Sequence, residues 1–474
     1  MRVAMINEGT YPFVKGGVST WCDQLVQGLA EHNFELVTLT ATGPEPVVWE
    51  LPGNARLLPP VPVWGQGRPL PRARRRVALD AAALICFGML DDSPIGRRGF
   101  AAGVRELADL ASEGYHPLAG VDLAPVLVEA WHSSDQALPP LTLHGAELAS
   151  ILLEHSVRPL AARLSDVELC HAVAGGLPSL VGLAAKWRSG IPLLMSEHGV
   201  YLRERYLAMG SGFPIGVKAA ALRFFRALAR LGYSEAELVA PVSDFNRRWE
   251  VRHGVNPDKI ITVANGVSPE RYPPLESEPD RPTVTWVGRV DPLKDLETLV
   301  RAFRLVHSEV DGSRLRLFGP VPAGNEAYAA ECRHLVSALR LDEVVAFEGP
   351  VASSREAFAA GHVVALSSIS EGMPYTVIEA MMCGRVTVST DVGGVAETVA
   401  DAGHVVPPRD PEAFAEACHG VLVDGERRRE LGARARARAL ASFTLTNCVD
   451  VYRQLYLDLA ARAWARAEAE PVAV

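Results

Sequence analysis

Two carboxylates, Glu371 and Glu379, flank seven residues in Ser370-Glu371-Gly372-Met373-Pro374-Tyr375-Thr376-Val377-Ile378-Glu379-Ala380. An ionised carboxylate only accepts hydrogen bonds, and its two oxygens can take two hydroxyls at once. The amides of Gly372 and Met373 lead into a helical pattern, and a helix N-terminus favours an anion. Two hydroxyl-binding acids beside such an end suit a nucleotide sugar. A second charged group stands upstream, in Gly288-Arg289-Val290-Asp291-Pro292-Leu293-Lys294-Asp295. The guanidinium offers paired donors to phosphate, and the ammonium offers a point charge. Together they can hold a diphosphate and neutralise the charge that grows as a nucleoside diphosphate leaves. An arginine and a lysine in a loop are more often plain surface; their place at a strand end favours phosphate.

These groups need strands that end beside them. Val363-Val364-Ala365-Leu366 is a short apolar run that reads as a buried parallel strand before Glu371. The helix after it carries Pro374 in its first turn and stops at Cys383-Gly384. Thr283 to Gly288 is the strand before Arg289; Leu315 to Gly319, Val344 to Phe347 and Val386 to Ser389 continue the series, with helical patterns between. That alternation predicts a doubly wound parallel sheet. The first half has the same rhythm: strands at Arg2–Asn7, Phe34–Thr40, Val167–Val173, Pro192–Ser196 and Ile260–Val263, with a strand-to-helix junction over Val239 to Arg248. The fold class expected is α/β, with two facing Rossmann-like sheets and the active site in the cleft between them. The domains expected are 1–270, 271–445 and a C-terminal crossover helix and tail, 446–474, frayed from Glu468. Ser268 to Pro282, with five prolines, reads as linker and hinge. Residues 42–76 read as loop, and 77–165 as mostly helical, so that 42–166 forms a divergent insertion. Pro411 to Phe443 reads as one helical stretch with its arginines on an exposed face.

The totals narrow the class. A chain of 474 residues exceeds one ordinary core. Its net charge of -9 argues against a general nucleic-acid binder. Seven scattered cysteines without a CxxC pair argue against a disulfide framework or a structural zinc site, and fit a reducing compartment. Glu8 comes too early for a signal peptide, and no apolar run approaches the roughly 20 residues of a membrane span. The localisation expected is cytoplasmic, with peripheral attachment at the inner face of the cell membrane left open. Arg72-Ala73-Arg74-Arg75-Arg76 is either a solvated face or a contact for an anionic acceptor or membrane surface.

Two further places carry candidates. Gly16-Gly17 precedes a helix expected over Ser19–Ala30, so it is either a plain turn or a point where phosphates approach the backbone. His171 and His198 fall near the carboxyl ends of strands, where open sheets bind ligands. His171 favours a structural role. His198 favours function, because polar residues flank it in Glu197-His198-Gly199-Val200-Tyr201-Leu202-Arg203-Glu204-Arg205.

Taken together, Gly-Arg-x4-Lys at Gly288, Arg289 and Lys294 and Glu-x7-Glu at Glu371 and Glu379 resemble the retaining GT-B glycosyltransferases of family GT4. The segment Glu8 to Trp21 and Ser196-Glu197-His198-Gly199 look like the PelF-like members, the cytosolic glycosyltransferases of Pel-type exopolysaccharide systems. The resemblance implies a UDP-sugar donor, a growing glycan as acceptor, membrane-embedded polysaccharide synthase subunits as partners, and no nucleic acid. It implies donor contacts from Gly16, Gly17, Arg289, Lys294, Val351, Glu371, Gly372, Met373, Pro374, Tyr375, Thr376 and Glu379. Glu379 would take the ribose hydroxyls, Glu371 the transferred sugar, and the Gly349-Pro350-Val351 backbone the base. His198, Glu371, Arg289 and Lys294 would form the catalytic set. No cofactor and no metal is implied. Other GT-B enzymes (a phosphorylase or an epimerase) and a nucleotide-sugar-binding scaffold subunit are the competing readings.

Overall fold

In the first sheet, strand β1 (Arg2–Glu8) holds Val3 to Ile6 fully buried, the unbroken apolar run of a parallel strand covered on both faces. The computed structural model describes residues 1–164, 166–210 and 212–469. Of the tail expected to fray, residues 470–474 lie outside those described. The chain forms two units, one of 1–241, 247–262 and 451–474, the other of 242–246 and 263–450.

The first unit contains β1, β2 (Asn33–Thr40), β3 (Ala55–Leu57), β4 (Val61–Pro62), β5 (Leu169–Ala172), β6 (Leu193–Glu197) and β7 (Leu238–Pro241). All pair in parallel, in the order β3-β2-β1-β5-β6-β7, with β4 also on β2. The second contains β8 (Thr283–Val287), β9 (Arg314–Phe318), β10 (Val345–Gly349), β11 (Val363–Leu366), β12 (Val386–Thr390) and β13 (His404–Val406). They too are parallel, in the order β10-β9-β8-β11-β12-β13. Each is the doubly wound order in which the chain builds outward from one central strand, then returns to build the other half. Each unit has its own apolar core.

Several expectations need correction. The stretch 42–76 is not all loop, because β3 and β4 extend β2; runs of two or three residues carry no periodic signal. Ile260–Val263 is not a strand: Ile260 makes one isolated bridge to Val239, and from Val263 the chain belongs to the second unit. Pro411–Phe443 is two helices, Pro411–Val423 and Gly425–Ser442, broken at Asp424, whose side chain caps the second by accepting from the Arg427 amide at 2.9 Å. Its arginines are not all solvated. Arg428 is buried and holds Glu278 with two bonds of 2.8 and 2.7 Å, while Arg436 and Arg438 donate to backbone carbonyls. The proline-rich 268–282 segment is packed along the second unit through that Glu278 pair and a bond from Leu275 N to Cys383 O.

Within 77–165 the helices Arg75–Leu90 and Pro94–Leu110 form a hairpin. They approach so closely that a Cβ on Gly103 would lie 2.5 Å from the Ala81 carbonyl. Among the described residues no helix is long and apolar enough to cross a membrane. The last helix, Leu445–Ala469, begins in the second unit and from residue 451 packs with the first. There Tyr456 meets His171 Nδ1 at 2.7 Å, and the other ring nitrogen meets Ser196 Oγ at 2.6 Å. His171 is therefore a core residue with both nitrogens engaged. Tyr456→Phe removes the partner of a fully buried nitrogen. It should cost about 1–3 kcal/mol in urea unfolding; unchanged stability would refute this role.

The same unit buries two acids. Glu197 ends β6 and is bonded by the Tyr233 hydroxyl and the Gly175 amide; Glu250 has neither carboxylate oxygen paired among the described residues. Burial raises both pKa values, and repulsion from Glu197 raises that of Glu250 further. Folded-state values above the unfolded value of about 4.3 mean stability is full below that pH. It is then lost as pH rises through the folded-state values. Glu250→Gln should flatten this loss when unfolding is compared near pH 5 and near pH 8. An unchanged slope would show that Glu250 does not carry this loss.

Candidate active site

In the second unit the chain runs from β8 to β9 and β10 on one side, and from β11 to β12 and β13 on the other. The two halves thus part at the central pair β8 and β11, the switch point beyond whose carboxyl ends open parallel sheets bind ligands. The first loop, after β8, carries Arg289 and Lys294. Asp291 shapes it, accepting from the Leu293 amide at 2.9 Å before the short turn Pro292–Lys294. Asp295, with φ 46°, then caps helix Leu296–Glu309. That left-handed conformation is one that aspartate tolerates better than most residues.

The second loop, after β11, is stitched to the first. Ser367 Oγ donates to Lys294 O at 2.7 Å, and the Ile369 amide to Leu293 O at 2.8 Å. Lys294 Nζ reaches Glu371 Oε1 at 2.5 Å, and Ser368 Oγ donates to the same oxygen at 2.6 Å. The cation expected for phosphate and the acid expected for sugar hydroxyls thus hold each other, both partly buried. Arg289 stands on the same loop, exposed.

Glu379 lies on helix Tyr375–Met382, with Pro374 at the N-cap rather than inside the first turn. Ser354 Oγ donates to Glu379 Oε2 at 2.7 Å, and Tyr272 OH lies 3.0 Å from Ser354 Oγ. Burial raises the Glu379 pKa, and the bonds from Ser354 and Tyr272 oppose that. Val351 precedes Ser354 by three residues, in the loop after β10 at the same edge of the sheet. The backbone from Glu371 to Met373 is itself supported. Gly394 N donates to Gly372 O at 2.7 Å, Asn265 Nδ2 to Met373 O at 2.9 Å, and any Cβ on Gly393 (φ 59°) would strike Glu371 O. Thr376 and Tyr375 form the first turn, half-buried.

Reasoning from sequence missed Ser368, Ser354, Tyr272, Asn265 and Gly393. Asn265 and Gly266 are a turn-forming pair, but the long-range bond from Asn265 to Met373 leaves no local signal. For Tyr272 and Ser354 no local pattern pointed to Glu379.

Gly16, Gly17 and His198 belong to the first unit, beyond the carboxyl ends of β1 and β6. Gly16 caps helix Gly17–Gly28 in extended backbone, and a Cβ there would meet nothing within 4 Å. That helix presents Trp21, whose ring lies 4.4 Å from the His198 ring. His198 Nε2 is shut from solvent and has no hydrogen-bond partner among the described residues. Burial lowers its pKa to about 3, so the imidazole is neutral near pH 7.

Residues 1–258 match the family profile described as a domain of unknown function (DUF3492), and residues 281–424 match the one described as glycosyl transferases group 1. D-inositol 3-phosphate glycosyltransferase 2 from Catenulispora acidiphila is 30% identical over 311 residues, which are 60% of this chain and 70% of that protein. Among solved structures, sucrose-phosphate synthase from Thermosynechococcus elongatus superposes with a TM-score of 0.66 at 21% identity, over 97% of this chain and 99% of that one. HepE from Anabaena, solved in complex with UDP, gives 0.63 at 14% identity, over 97% and 100%. These likenesses match the two parallel-sheet units to the GT-B fold. The chain carries the DUF3492 domain in its first half and belongs, as a sugar-transferring enzyme, to the glycosyltransferase group 1 family.

Proposed function

We propose that this chain transfers a sugar from a UDP-sugar to a growing glycan, with retained anomeric configuration and without a metal ion. The observation that carries this is the placement of Lys294 and Glu371, 2.5 Å apart on the two loops of the second sheet's switch point. In the proposed donor complex Lys294 turns to the diphosphate and is joined by Arg289. Glu371, relieved of its cation, accepts hydroxyls of the transferred sugar. Glu379 takes the ribose hydroxyls, with Ser354 and Tyr272 holding its far side. Gly372 to Thr376 lie at the N-terminal end of a helix, where the dipole favours phosphate. Val351 offers backbone to the base. HepE, a neighbour in fold, was solved in complex with UDP, which supports uracil as the base.

The acceptor hydroxyl oxygen then bonds to the anomeric carbon on the face that the diphosphate leaves. The bond from that carbon to the diphosphate oxygen breaks, the electron pair goes to the diphosphate, and the acceptor's proton follows it. Arg289 and Lys294 neutralise the leaving group, the task a divalent cation performs in other transferases. The setting we favour is Pel-type exopolysaccharide synthesis on the cytoplasmic side, beside membrane-embedded synthase subunits.

Lys294→Ala and Glu371→Ala should each lower UDP release by about 10²-fold or more, the size typical of losing one charge-stabilising group. Chelator should leave the parent enzyme's rate unchanged. Melting temperatures report folding, and UDP-sugars, not GDP- or ADP-sugars, should raise them. Full activity in either variant would remove this site from the reaction.

A further inference from the structure

The first unit holds a cavity of about 490 Å³ that the proposed donor chemistry does not use. It opens beyond the carboxyl ends of β1 and β2, at Glu8, Gly9, Leu39 and Thr40. Three helices wall it: Leu143–Ser156 of the insertion supplies Leu152 and Leu153, Tyr201–Ala208 supplies Arg205, and Ile215–Glu235 supplies Phe224 and Phe225. Trp64, from the stretch 42–76 that reads as loop in the sequence, closes another side, its ring stacked 4.5 Å from that of His155.

A concave, mostly apolar space of this size, open to solvent at one side, is the usual form of a ligand site. Its chemistry is divided. Most of the wall is aliphatic or aromatic. One end holds a polar knot: Arg205 donates to Glu8 Oε1 at 2.6 Å, and the Tyr201 hydroxyl donates to Glu8 Oε2 at 3.0 Å. The Arg205 guanidinium also lies 4.6 Å over the Tyr201 ring. A bare sugar would leave most of its hydroxyls against leucine and phenylalanine, at the cost of unmade hydrogen bonds. A molecule with a hydrocarbon body and a hydroxyl-bearing head fits both parts. Beside the cavity, Tyr206, Leu207, Phe213 and Ile215 are exposed to solvent, which extends the apolar surface outward.

We infer that this cavity binds the hydrocarbon portion of an amphiphilic acceptor, an aliphatic or aromatic aglycone, with its hydroxylated head at Glu8 and Arg205. This rests on the transferase reading for the word acceptor, but the binding itself does not. The chain could come from a soluble glycoside or be drawn from a lipid bilayer.

The test uses the full chain and two probes that differ only in tail, methyl β-glucoside and octyl β-glucoside below its micelle concentration. Intrinsic tryptophan fluorescence and the melting temperature are read together. Octyl glucoside should bind and methyl glucoside should not. Trp64→Ala, at a partly exposed position, and Ala221→Leu, which fills the space, should each weaken octyl glucoside binding at least tenfold. Equal responses to the two glucosides would overturn the proposal. So would unchanged octyl glucoside affinity in both variants, provided that their melting shows them folded. Sedimentation with phosphatidylcholine vesicles separates the sources: binding lost in Trp64→Ala assigns a bilayer chain, and octyl glucoside binding without sedimentation assigns a soluble one. Binding of octyl glucoside without UDP-sugar turnover would sink the transferase reading and leave the cavity's chemistry standing; turnover without tail-dependent binding would do the reverse.

Discussion

The pair between Lys294 and Glu371 is the contact on which the site depends. It spans 77 residues of sequence and closes the two loops that leave the central strands β8 and β11. Each charge has a partner there: the ammonium has the carboxylate, and the carboxylate has Ser368 Oγ as well. The pair therefore keeps both groups in place while no ligand is bound. It also fixes what can replace it. A ligand must bring an anion for the ammonium and hydroxyl donors for the carboxylate, close together in one molecule. A sugar joined to a diphosphate has both.

Support for this pair is spread through the second unit. Ser368 bonds the carboxylate, Ser367 bonds the lysine's own carbonyl, and Gly394 and Asn265 hold the backbone between Gly372 and Met373. The 268–282 segment takes part as well. Its Tyr272 reaches Ser354, which holds Glu379, while its Glu278 is gripped by Arg428. A segment rich in proline loses little entropy on ordering and needs few bonds to stay put. It thereby connects the packing of helix Gly425–Ser442 to Glu379, the acid proposed for the ribose.

What could be read from sequence follows from the range of each interaction. Strands such as Val363–Leu366 are local apolar runs, and the alternation with helices makes the doubly wound class legible. The charged loops could be placed because each directly follows such a strand. The partner of each charge could not. Glu278 and Arg428 are 150 residues apart, and Tyr272 and Ser354 are 82 apart; no local pattern encodes such meetings. Helix Gly425–Ser442 misled for the same reason, since an arginine-rich stretch looks solvated until its carbonyl and carboxylate partners are known. Strands β3 and β4 were too short to show a period at all.

His198 bears on where the proton goes. Packed against Trp21 and cut off from water at Nε2, it has a pKa of about 3. A group that gives up its proton so readily is a poor base near pH 7, where efficient proton acceptors have values close to the ambient pH. Neutral imidazole can still donate or accept one hydrogen bond. The acceptor's proton then needs another destination. In the proposed reaction the only group whose basicity rises as the bond breaks is the departing diphosphate. The cations proposed to stabilise it, Arg289 and Lys294, must do so without making it too weak a base. A single guanidinium and a single ammonium meet that condition more readily than a tightly bound divalent ion, which would lower the phosphate oxygens' basicity further.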